Sequence, residues 1–310
     1  VDASNFPTIK AKFFAFDKDG NRIQNINQND ISIYQNGKSC MIKSISCPHN
    51  VKKANLSSIL IFDISGSMST EIGNSTRLDL AKVAGTNWIM GLPNDSTECA
   101  IGVFDDMNNL YSDFTKDKSS LLSIVNNLTP RGGTDYDFGL LYAVGGGLHI
   151  SKRAKYKKVI IFLTDGFPNK EPLTKVIINE AKNQDCKIYS VTLGFECPQS
   201  LREISEKTNG KWFENITTKE QARDVYLQIL NESLEIDPCE IIWEANYECD
   251  ISEIEGVISY NNNNSSSSFR FNIPTNAIPK LEIKPLFINF GKVKPGEFKD
   301  TIITIKAKNI

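Results

Sequence analysis

The chain has 310 residues, of which 40% are hydrophobic, 9% aromatic and 23% charged, and its formal net charge is −2. The apolar content is sufficient for a folded core, which excludes a disordered chain, a collagen and a coiled coil, and the length suggests two or three domains. The near-neutral charge gives no general attraction for nucleic acid or anionic lipid, and no apolar run approaches the roughly 20 residues of a membrane helix. We therefore expect neither a nucleic-acid partner nor a membrane span in this chain.

Few residues are available for nucleophilic or redox chemistry. The chain has only two histidines, His49 and His149, which disfavours histidine-dependent catalysis. Its seven cysteines include no C-x-x-C pair, which argues against a zinc ribbon or a thioredoxin-type redox site. Cys99 starts an apolar segment and is expected to be a buried thiol.

The first 50 residues have the alternation typical of β-strands. Apolar and polar residues alternate in part over 8–16 and again over 30–34, and 38–45 follows as a third strand. The sequence DKDG at 17–20 and the pair Asn36-Gly37 are hairpin-turn signals. No helical periodicity is present, so this segment predicts half of a β-sandwich or a small β-domain.

From about residue 56, continuous apolar strands alternate with amphipathic helices. This order predicts βαβ units, and hence an α/β fold with a doubly wound, mainly parallel sheet. The predicted strands are 58–63, 98–104, 110–114, 158–163, 187–193 and 211–213, and the predicted helices are 77–90, 118–128, 135–149, 173–184, 200–208 and 219–234.

Strands return after Asp237-Pro238. The run NNNNSSSS at 261–268 predicts a polar loop, and 275–279 predicts a linker. The predicted strands are 240–247, 256–260 and 269–273, then 281–283, 287–290 and 301–306. The last 31 residues are too few for an independent β-domain, so they are either the start of a further domain or an appendage.

The order of these segments suggests one domain inserted into another. The two ends of a doubly wound domain lie close together, so such a domain can interrupt a loop of a second domain. We predict that residues 1–52 and 237–279 are the two halves of a β-sandwich and that 53–236 form the α/β domain. Residues 280–310 would start a further immunoglobulin-like β-domain or add strands.

Polar residues stand at the ends of two predicted strands of the α/β domain. Asp63, Ser65 and Ser67 follow the first strand, and residues two apart face one way while the chain is extended. A glycine-rich loop brings Thr134 to the start of a helix, and Asp165 follows strand 158–163. Ligands of open α/β sheets bind at these carboxyl ends. Two carboxylates and three hydroxyls suit a hard cation, namely Mg²⁺ or else Mn²⁺ or Ca²⁺.

The pattern D-x-S-x-S at 63–67, with a distant Thr134 and Asp165, resembles the metal-ion-dependent adhesion site of the von Willebrand factor type A family. The resemblance covers about residues 56–235, including the order of strands and helices. It implies that Ser65, Ser67 and Thr134 bind the cation directly. Asp63 and Asp165 would act through water or in a state-dependent way. An open coordination position would accept an Asp or Glu carboxylate of a partner.

Ordinary structural roles stay open for each of these residues taken alone. Serines after a strand often cap the next helix, and Thr134 or Asp135 could serve as an N-cap. Asp165 and Gly166 could form an ordinary turn. The presence of all three pieces, in order and at strand ends, favours the cation site.

Three functions compete. The expected one is a divalent-cation-dependent adhesion module of an exported or cell-surface bacterial protein, which acts as a monomer and binds a carboxylate of a host or extracellular matrix protein. The first alternative is an intracellular assembly factor that docks a partner ATPase. The second is a metal-dependent hydrolase. It is disfavoured because Ser65 stands where a phosphoaspartyl enzyme carries a second acid and because no general base is available. We therefore expect that the protein is not an enzyme.

The flanks carry weaker resemblances. Residues 6–46 resemble the β-region found beside this fold in bacterial surface proteins, and 281–293 resemble the first strands of immunoglobulin-like repeats of abnormal-spindle and hydin proteins. Integrin β chains and some pilus tip adhesins show the same inserted arrangement. By resemblance to family members that switch, helix 219–234 would couple metal occupancy to the β-domain, with a static module as the alternative.

The cysteines around the inserted domain allow two pairings. Cys47 and Cys239 bracket the domain, and Cys40 and Cys249 lie further out on the same two segments. Nested bridges 47–239 and 40–249 are one solution, and 40–47 with 239–249 is the other. Either set favours an exported location.

A strongly acidic stretch lies between residues 235 and 255, which contain eight acidic residues and no Lys or Arg. Alternate positions of a half-buried strand point to water, so a solvated strand face is the expected explanation. An acidic patch for a basic partner or for calcium is the functional alternative.

Overall fold

The computed structural model describes residues 1–17, 22–23, 25–48, 54–246, 252–260, 265–274, 280–285 and 287–308. The chain divides into two compact units. One consists of Val1–Ala15, Arg22–His49 and Pro238–Ile310, and the other of Phe16–Asn21 and Asn50–Asp237. We call them the β unit and the α/β unit. The turn predicted at 17–20 falls almost entirely outside the described residues.

The amino-terminal part of the β unit contains four strands. Asn36 and Gly37 both have positive φ, 48° and 78°, as a tight hairpin turn requires, so the predicted turn is confirmed. The single strand predicted over 38–45 is wrong, because the chain changes sheets within it. The strands are β1 (Thr8–Phe13), β2 (Ile31–Gln35), β3 (Lys38–Ser39) and β4 (Ile42–Ser46).

The α/β unit is built on a six-stranded sheet with helices between most strands. The strands of the unit are β5 (Leu56–Asp63), β6 (Glu71–Ile72), β7 (Ser75–Thr76), β8 (Thr97–Phe104), β9 (Asn108–Thr115), β10 (Lys157–Thr164), β11 (Cys186–Leu193) and β12 (Trp212–Ile216). β6 and β7 pair with each other. The other six form the sheet in the order β12-β11-β10-β5-β8-β9, and every neighbouring pair is parallel except β8 and β9. The helices are α1 (Arg77–Gly91), α2 (Lys118–Asn126), α3 (Tyr136–Leu140), α4 (Gly147–Ile150), α5 (Thr174–Asn183), α6 (Gln199–Lys207) and α7 (Lys219–Ser233).

Both faces of this sheet are buried, which explains the continuous apolar runs in its central strands, such as 59–62 of β5 and 159–163 of β10. Every residue of β5 and of β8 is buried. One face packs against α1, α2 and α7 around Trp88 and Tyr226, whose rings meet edge to face at 6.2 Å. The other face packs against α3 to α6 around Phe104 and Phe162. The predicted doubly wound, mainly parallel sheet is confirmed.

The helix predicted over 135–149 is wrong, since it forms two short helices separated by glycines. A side chain at Gly145 would lie 2.5 Å from the backbone of Asn109, and one at Gly102 would lie 2.4 Å from the Gly145 carbonyl oxygen. The segment therefore runs directly against the backbone of β8 and β9. The sequence GGG reflects this close approach rather than a helical periodicity.

After Pro238 the chain returns to the β unit. The strands are β13 (Cys239–Glu244), β14 (Glu253–Tyr260), β15 (Ser265–Asn272), β16 (Lys280–Lys284) and β17 (Thr304–Lys308). They complete two antiparallel sheets, β1-β13-β4 and β15-β14-β2-β3, while β16 and β17 pair with each other. Each of the two larger sheets thus combines strands from before and after the α/β unit, and one buried apolar cluster, which includes Ile33 and Trp243, draws on both. The domain limits drawn from the sequence stay predictions.

Two sequence-based expectations in this region are wrong. The polar run 261–268 is not a loop throughout, because 265–268 belong to β15 and pair with 257–260 of β14. Serine side chains are accepted there because pairing is made by the backbone. Residues 287–290 form no strand in the structure.

The disulfide formed by the described cysteines of the β unit belongs to the nested pairing, 47–239 with 40–249. Cys47 and Cys239 form a disulfide, which excludes the 40–47 pairing. Cys40 is buried, forms no disulfide with a described residue and donates a hydrogen bond to Gln35 Oε1 at 3.0 Å. Cys249 lies outside the described residues. In the α/β unit Cys99 is a buried free thiol, as predicted.

The acidic stretch is a solvated strand face over its described length. Five of its glutamates face basic side chains of neighbouring elements, so they do not form an unpaired acidic patch. The pairs are Glu235 with Lys157, Glu240 with Lys10, Glu244 with Lys43, and both Glu253 and Glu255 with Arg270. Glu248 and Asp250 lie outside the described residues.

Candidate functional site

The five residues singled out in the sequence lie at the carboxyl edge of the α/β sheet. The chain crosses from β5 to β8 on one side, continues to β9, and then crosses back to β10 on the other side of β5. The direction of the strand order therefore reverses between β5 and β10. Asp63 is the last residue of β5, and Asp165 directly follows β10. This is the topological switch point at which open α/β sheets bind ligands.

The chain turns sharply after Asp63 and brings two serines back over the sheet edge. Asp63 Oδ1 accepts a hydrogen bond from the Ser65 backbone N–H at 2.7 Å. A 3₁₀ turn over Gly66–Ser69 follows, in which the Gly66 N–H donates to the Gly132 carbonyl at 2.9 Å. This path places the Ser65 and Ser67 hydroxyl oxygens 3.0 Å apart.

Asp165 meets both serines. Its Oδ1 lies 2.7 Å from Ser67 Oγ and 3.5 Å from Ser65 Oγ, and its side chain is fully buried. Its Oδ2 lies 3.1 Å from Arg77 Nη1, which also donates to the Asp165 carbonyl at 3.1 Å. The two carboxylate oxygens therefore have different partners, hydroxyls on one side and a guanidinium on the other.

Asp63 is fully buried and has no cationic partner among the described residues. Its Oδ2 accepts a hydrogen bond from Thr164 Oγ1 at 2.6 Å. Burial raises the pKa of Asp63 to about 7, and the neighbouring charge of Asp165 acts in the same direction, while hydrogen bonds from Ser65 and Thr164 oppose the shift. The site thus holds a carboxylate whose charge is only partly compensated by the protein.

The glycine-rich loop brings Thr134 to the same edge. Gly132 has a φ of 68° and passes so close to Asp105 that an added side chain would lie 2.9 Å from its Cβ. The Asn169 N–H donates to the Thr134 carbonyl at 2.8 Å. A Cβ built at Gly166 lies 3.7 Å from Ser67 Oγ and 3.8 Å from Thr134 Oγ1, so these two hydroxyls flank the same backbone position. The structure therefore brings all five residues together.

Sequence reasoning missed three residues that shape the site. Arg77 binds Asp165, the Tyr136 hydroxyl donates to the Gly166 carbonyl at 2.5 Å, and Asp105 pairs with Arg131 at 2.8 Å. Asp105 directly follows β8, so its place at a strand end was a usable signal. Arg77 and Tyr136 stand at helix starts, where nothing in the local pattern indicates a role.

The oxygen set fits a small divalent cation. Neighbouring ligands of an octahedral Mg²⁺ lie about 2.9 Å apart, because Mg–O distances are about 2.0–2.1 Å. The separation of 3.0 Å between the Ser65 and Ser67 hydroxyl oxygens matches this spacing. No cluster of three or more His, Cys, Asp or Glu side chains suited to a metal occurs among the described residues. The proposed site differs from such a cluster, because it has two carboxylates and its other oxygens belong to hydroxyls.

Comparison with known proteins agrees with this fold. Residues 58–167 match the family model for the von Willebrand factor type A domain, and the chain therefore contains such a domain. A search of curated proteins found no match.

Solved structures share the architecture at low sequence identity. A von Willebrand factor type A protein from Catenulispora acidiphila superposes with a TM-score of 0.51 and 13% identity, covering 78% of this chain and 75% of that one. The vWF domain of the type V pili tip protein Mfa5 from Porphyromonas gingivalis gives 0.47 and 16%, covering 59% and 97%. Proximal thread matrix protein 1 from the mussel byssus, with a zinc-occupied MIDAS motif, gives 0.48 and 15%, covering 64% and 49%.

Within the described part of the chain, no helix has both the length and the apolar character needed to cross a membrane.

Proposed function

We propose that the α/β unit is a divalent-cation-dependent protein-binding module of an exported or cell-surface protein. Ser65, Ser67 and Thr134 would hold the cation directly, and Asp63 and Asp165 would hold it through water. The observation that carries this proposal is the convergence of Ser65 Oγ, Ser67 Oγ and Asp165 Oδ1 within hydrogen-bond distance at the switch point.

The donor set explains why such a site would bind rather than catalyse. Hydroxyls are neutral, and a carboxylate acting through water neutralises a cation only partly, so a bound Mg²⁺ or Mn²⁺ keeps affinity for a further anionic oxygen. An Asp or Glu side chain of a partner protein supplies that oxygen. Ser65 stands where a D-x-D arrangement would place the second acid, and 63–67 contains no histidine, which supports binding over phosphoryl transfer.

The Cys47–Cys239 disulfide supports an exported location, since such bridges persist in oxidising compartments. Electrophoresis of the protein taken from its native cells, with and without reductant after thiol blocking, tests this part. A bridged chain supports export, whereas two free thiols favour the intracellular assembly role.

The cation site is tested by titrating Mn²⁺ into the full chain and into Ser67→Ala, with Ser119→Ala as the control. Ser119 is an exposed residue of α2, remote in sequence from the site, so its variant should bind Mn²⁺ like the wild type. We expect one Mn²⁺ per chain and at least about tenfold weaker binding by Ser67→Ala. Equal affinities for all three proteins would refute the site.

Partner binding is tested by a pull-down of purified extracellular matrix proteins with the full chain in Mg²⁺ and in EDTA. Capture that requires the cation and is lost in Ser67→Ala supports the module. Capture that is indifferent to EDTA contradicts it.

A further inference from the structure

Arg77 lies beside the proposed cation site, at a helix position that is unfavourable for a cationic side chain. It is the first residue of α1, directly after the N-cap Thr76, whose hydroxyl accepts from the Asp79 N–H at 3.1 Å. The amino end of a helix carries partial positive charge, so a cation there is unfavourable. An arginine at this position therefore needs a compensating interaction.

That interaction is with Asp165 alone among the described residues. Arg77 Nη1 binds both the Oδ2 and the backbone carbonyl of Asp165, and the arginine side chain is only 21% exposed. Its Nε is buried without a hydrogen-bond partner in the described part of the chain, so the guanidinium is not held there by other polar groups. The guanidinium lies beside Gly194, since a Cβ built there would be 3.5 Å from Arg77 Nε and 3.7 Å from Nη2.

The pairing leaves one face of Asp165 for the cation. Oδ2 is taken by the guanidinium, while Oδ1 points to Ser65 and Ser67. The buried guanidinium also cancels one of the two carboxylate charges of the site, because Asp63 has no cationic partner in the described residues. With a divalent cation bound, the site as a whole then keeps one unit of positive charge, whereas without Arg77 it would be neutral.

We propose that Arg77 is a positioning and tuning residue that weakens cation binding in order to strengthen binding of the partner carboxylate. The inference rests on the proposed function, because it concerns the same cation. Like charges repel and opposite charges attract across a poorly solvated site, so the guanidinium disfavours the metal and favours an anionic ligand. The two effects have opposite signs, and a purely structural role for Arg77 would not produce both.

The test uses Arg77→Gln and Arg77→Lys in the full chain. Mn²⁺ affinity is measured by electron paramagnetic resonance of free Mn²⁺, and carboxylate affinity by the change in water-proton relaxation when acetate is added to the Mn²⁺-loaded protein. Arg202→Gln is the matched control, because Arg202 is also partly buried, pairs with Glu214 at 2.8 Å and has an unpartnered buried Nε. Circular dichroism verifies that each variant is folded.

For Arg77→Gln we expect Mn²⁺ to bind about tenfold tighter and acetate to bind about tenfold weaker, while Arg77→Lys and Arg202→Gln stay within about threefold of the wild type. Weaker Mn²⁺ binding by Arg77→Gln, or an unchanged acetate affinity, would overturn the inference while leaving the cation site intact. If Arg77→Gln does not fold, a change beyond threefold in Arg77→Lys overturns it. A wild-type chain that binds no Mn²⁺ defeats the proposed function itself, and the inference with it.

Discussion

The two units of the chain handle acidic side chains in opposite ways. In the β unit, glutamates such as Glu244 and Glu253 lie on exposed strand faces opposite lysine or arginine. In the α/β unit, Asp63 and Asp165 are buried at the end of the mainly parallel sheet, and the one guanidinium there, that of Arg77, pairs with Asp165. The glutamates that form the acidic stretch of the sequence are thus paired with cations at the surface. The two buried aspartates do not stand out in the sequence, and their negative charge is only partly compensated.

In such a chain, buried carboxylates with too little positive charge around them are better candidates for a functional site than exposed ion pairs. An exposed carboxylate with a cross-strand partner contributes little and is easily replaced, because water and salt screen it. A buried carboxylate with a deficit of positive charge is costly to keep unless something binds to it. This cost falls on Asp63 and Asp165, and a cation bound at the proposed site would offset it.

The largest expected effect is a loss of Mn²⁺ affinity when the buried carboxylate Asp63 is neutralised, with the exposed carboxylate Glu244 as the comparison. Asp63→Asn should weaken Mn²⁺ binding at least about a hundredfold, whereas Glu244→Gln should leave it unchanged. Asn fits the space of Asp and removes a buried charge, so the free energy of unfolding should not fall. Calorimetric titration with Mn²⁺ and urea unfolding of both variants measure these effects, and loss of binding in Glu244→Gln would reverse the comparison.

The disulfide should contribute the next largest effect, confined to the β unit. Cys47→Ser with Cys239→Ser should lower the free energy of unfolding by about 2–4 kcal/mol, because the bridge closes a loop between positions 192 residues apart. Tryptophan fluorescence in urea follows this transition when it is measured in a Trp88→Phe, Trp212→Phe background, in which buried Trp243 is the remaining tryptophan. The wild type with reductant should match the double variant, which should itself be insensitive to reductant; a wild type indifferent to reductant would contradict the assignment.

A smaller difference in stability is expected between Trp→Phe variants of the two buried tryptophans, Trp88 and Trp243. Trp88 Nε1 donates to Ser58 Oγ at 3.0 Å, whereas Trp243 Nε1 has no partner among the described residues. Both side chains are fully buried, so Trp→Phe removes similar volume from each unit. Trp88→Phe should therefore destabilise its unit by about 1 kcal/mol more than Trp243→Phe destabilises the other. Urea unfolding followed by circular dichroism tests this, and an equal or reversed order would show that Trp243 has a partner in solution.

The smallest effect is expected at the exposed ion pairs. Glu253→Gln and Lys43→Gln should each change the free energy of unfolding by less than about 0.5 kcal/mol, because both partners are largely solvated. Thermal unfolding at low and high salt measures it. A loss above about 1 kcal/mol would mean that the surface charges of the β unit matter structurally after all.

Much of the α/β unit could be predicted because its signals are local and repeated. Residues 59–62 of β5 and 159–163 of β10 are continuously apolar because they are buried. The pattern D-x-S-x-S marks the end of β5. The break between α3 and α4 could not be predicted, since it depends on the backbone of β9 lying against Gly145. Arg77 was missed for the same reason, because its partner Asp165 is 88 residues away. In the β unit, the change of sheet between β3 and β4 depends on long-range pairing that no local pattern encodes.

The proposed cation binds at the buried carboxylates and not at the exposed ones. The most direct measurement is the anomalous difference density of crystals grown with Mn²⁺. We expect a single strong peak about 2.0–2.5 Å from Ser65 Oγ and Ser67 Oγ, on the side of Asp165 Oδ1. A peak at Glu240, Glu244 or Glu253, with none at the edge between β5 and β10, would contradict it.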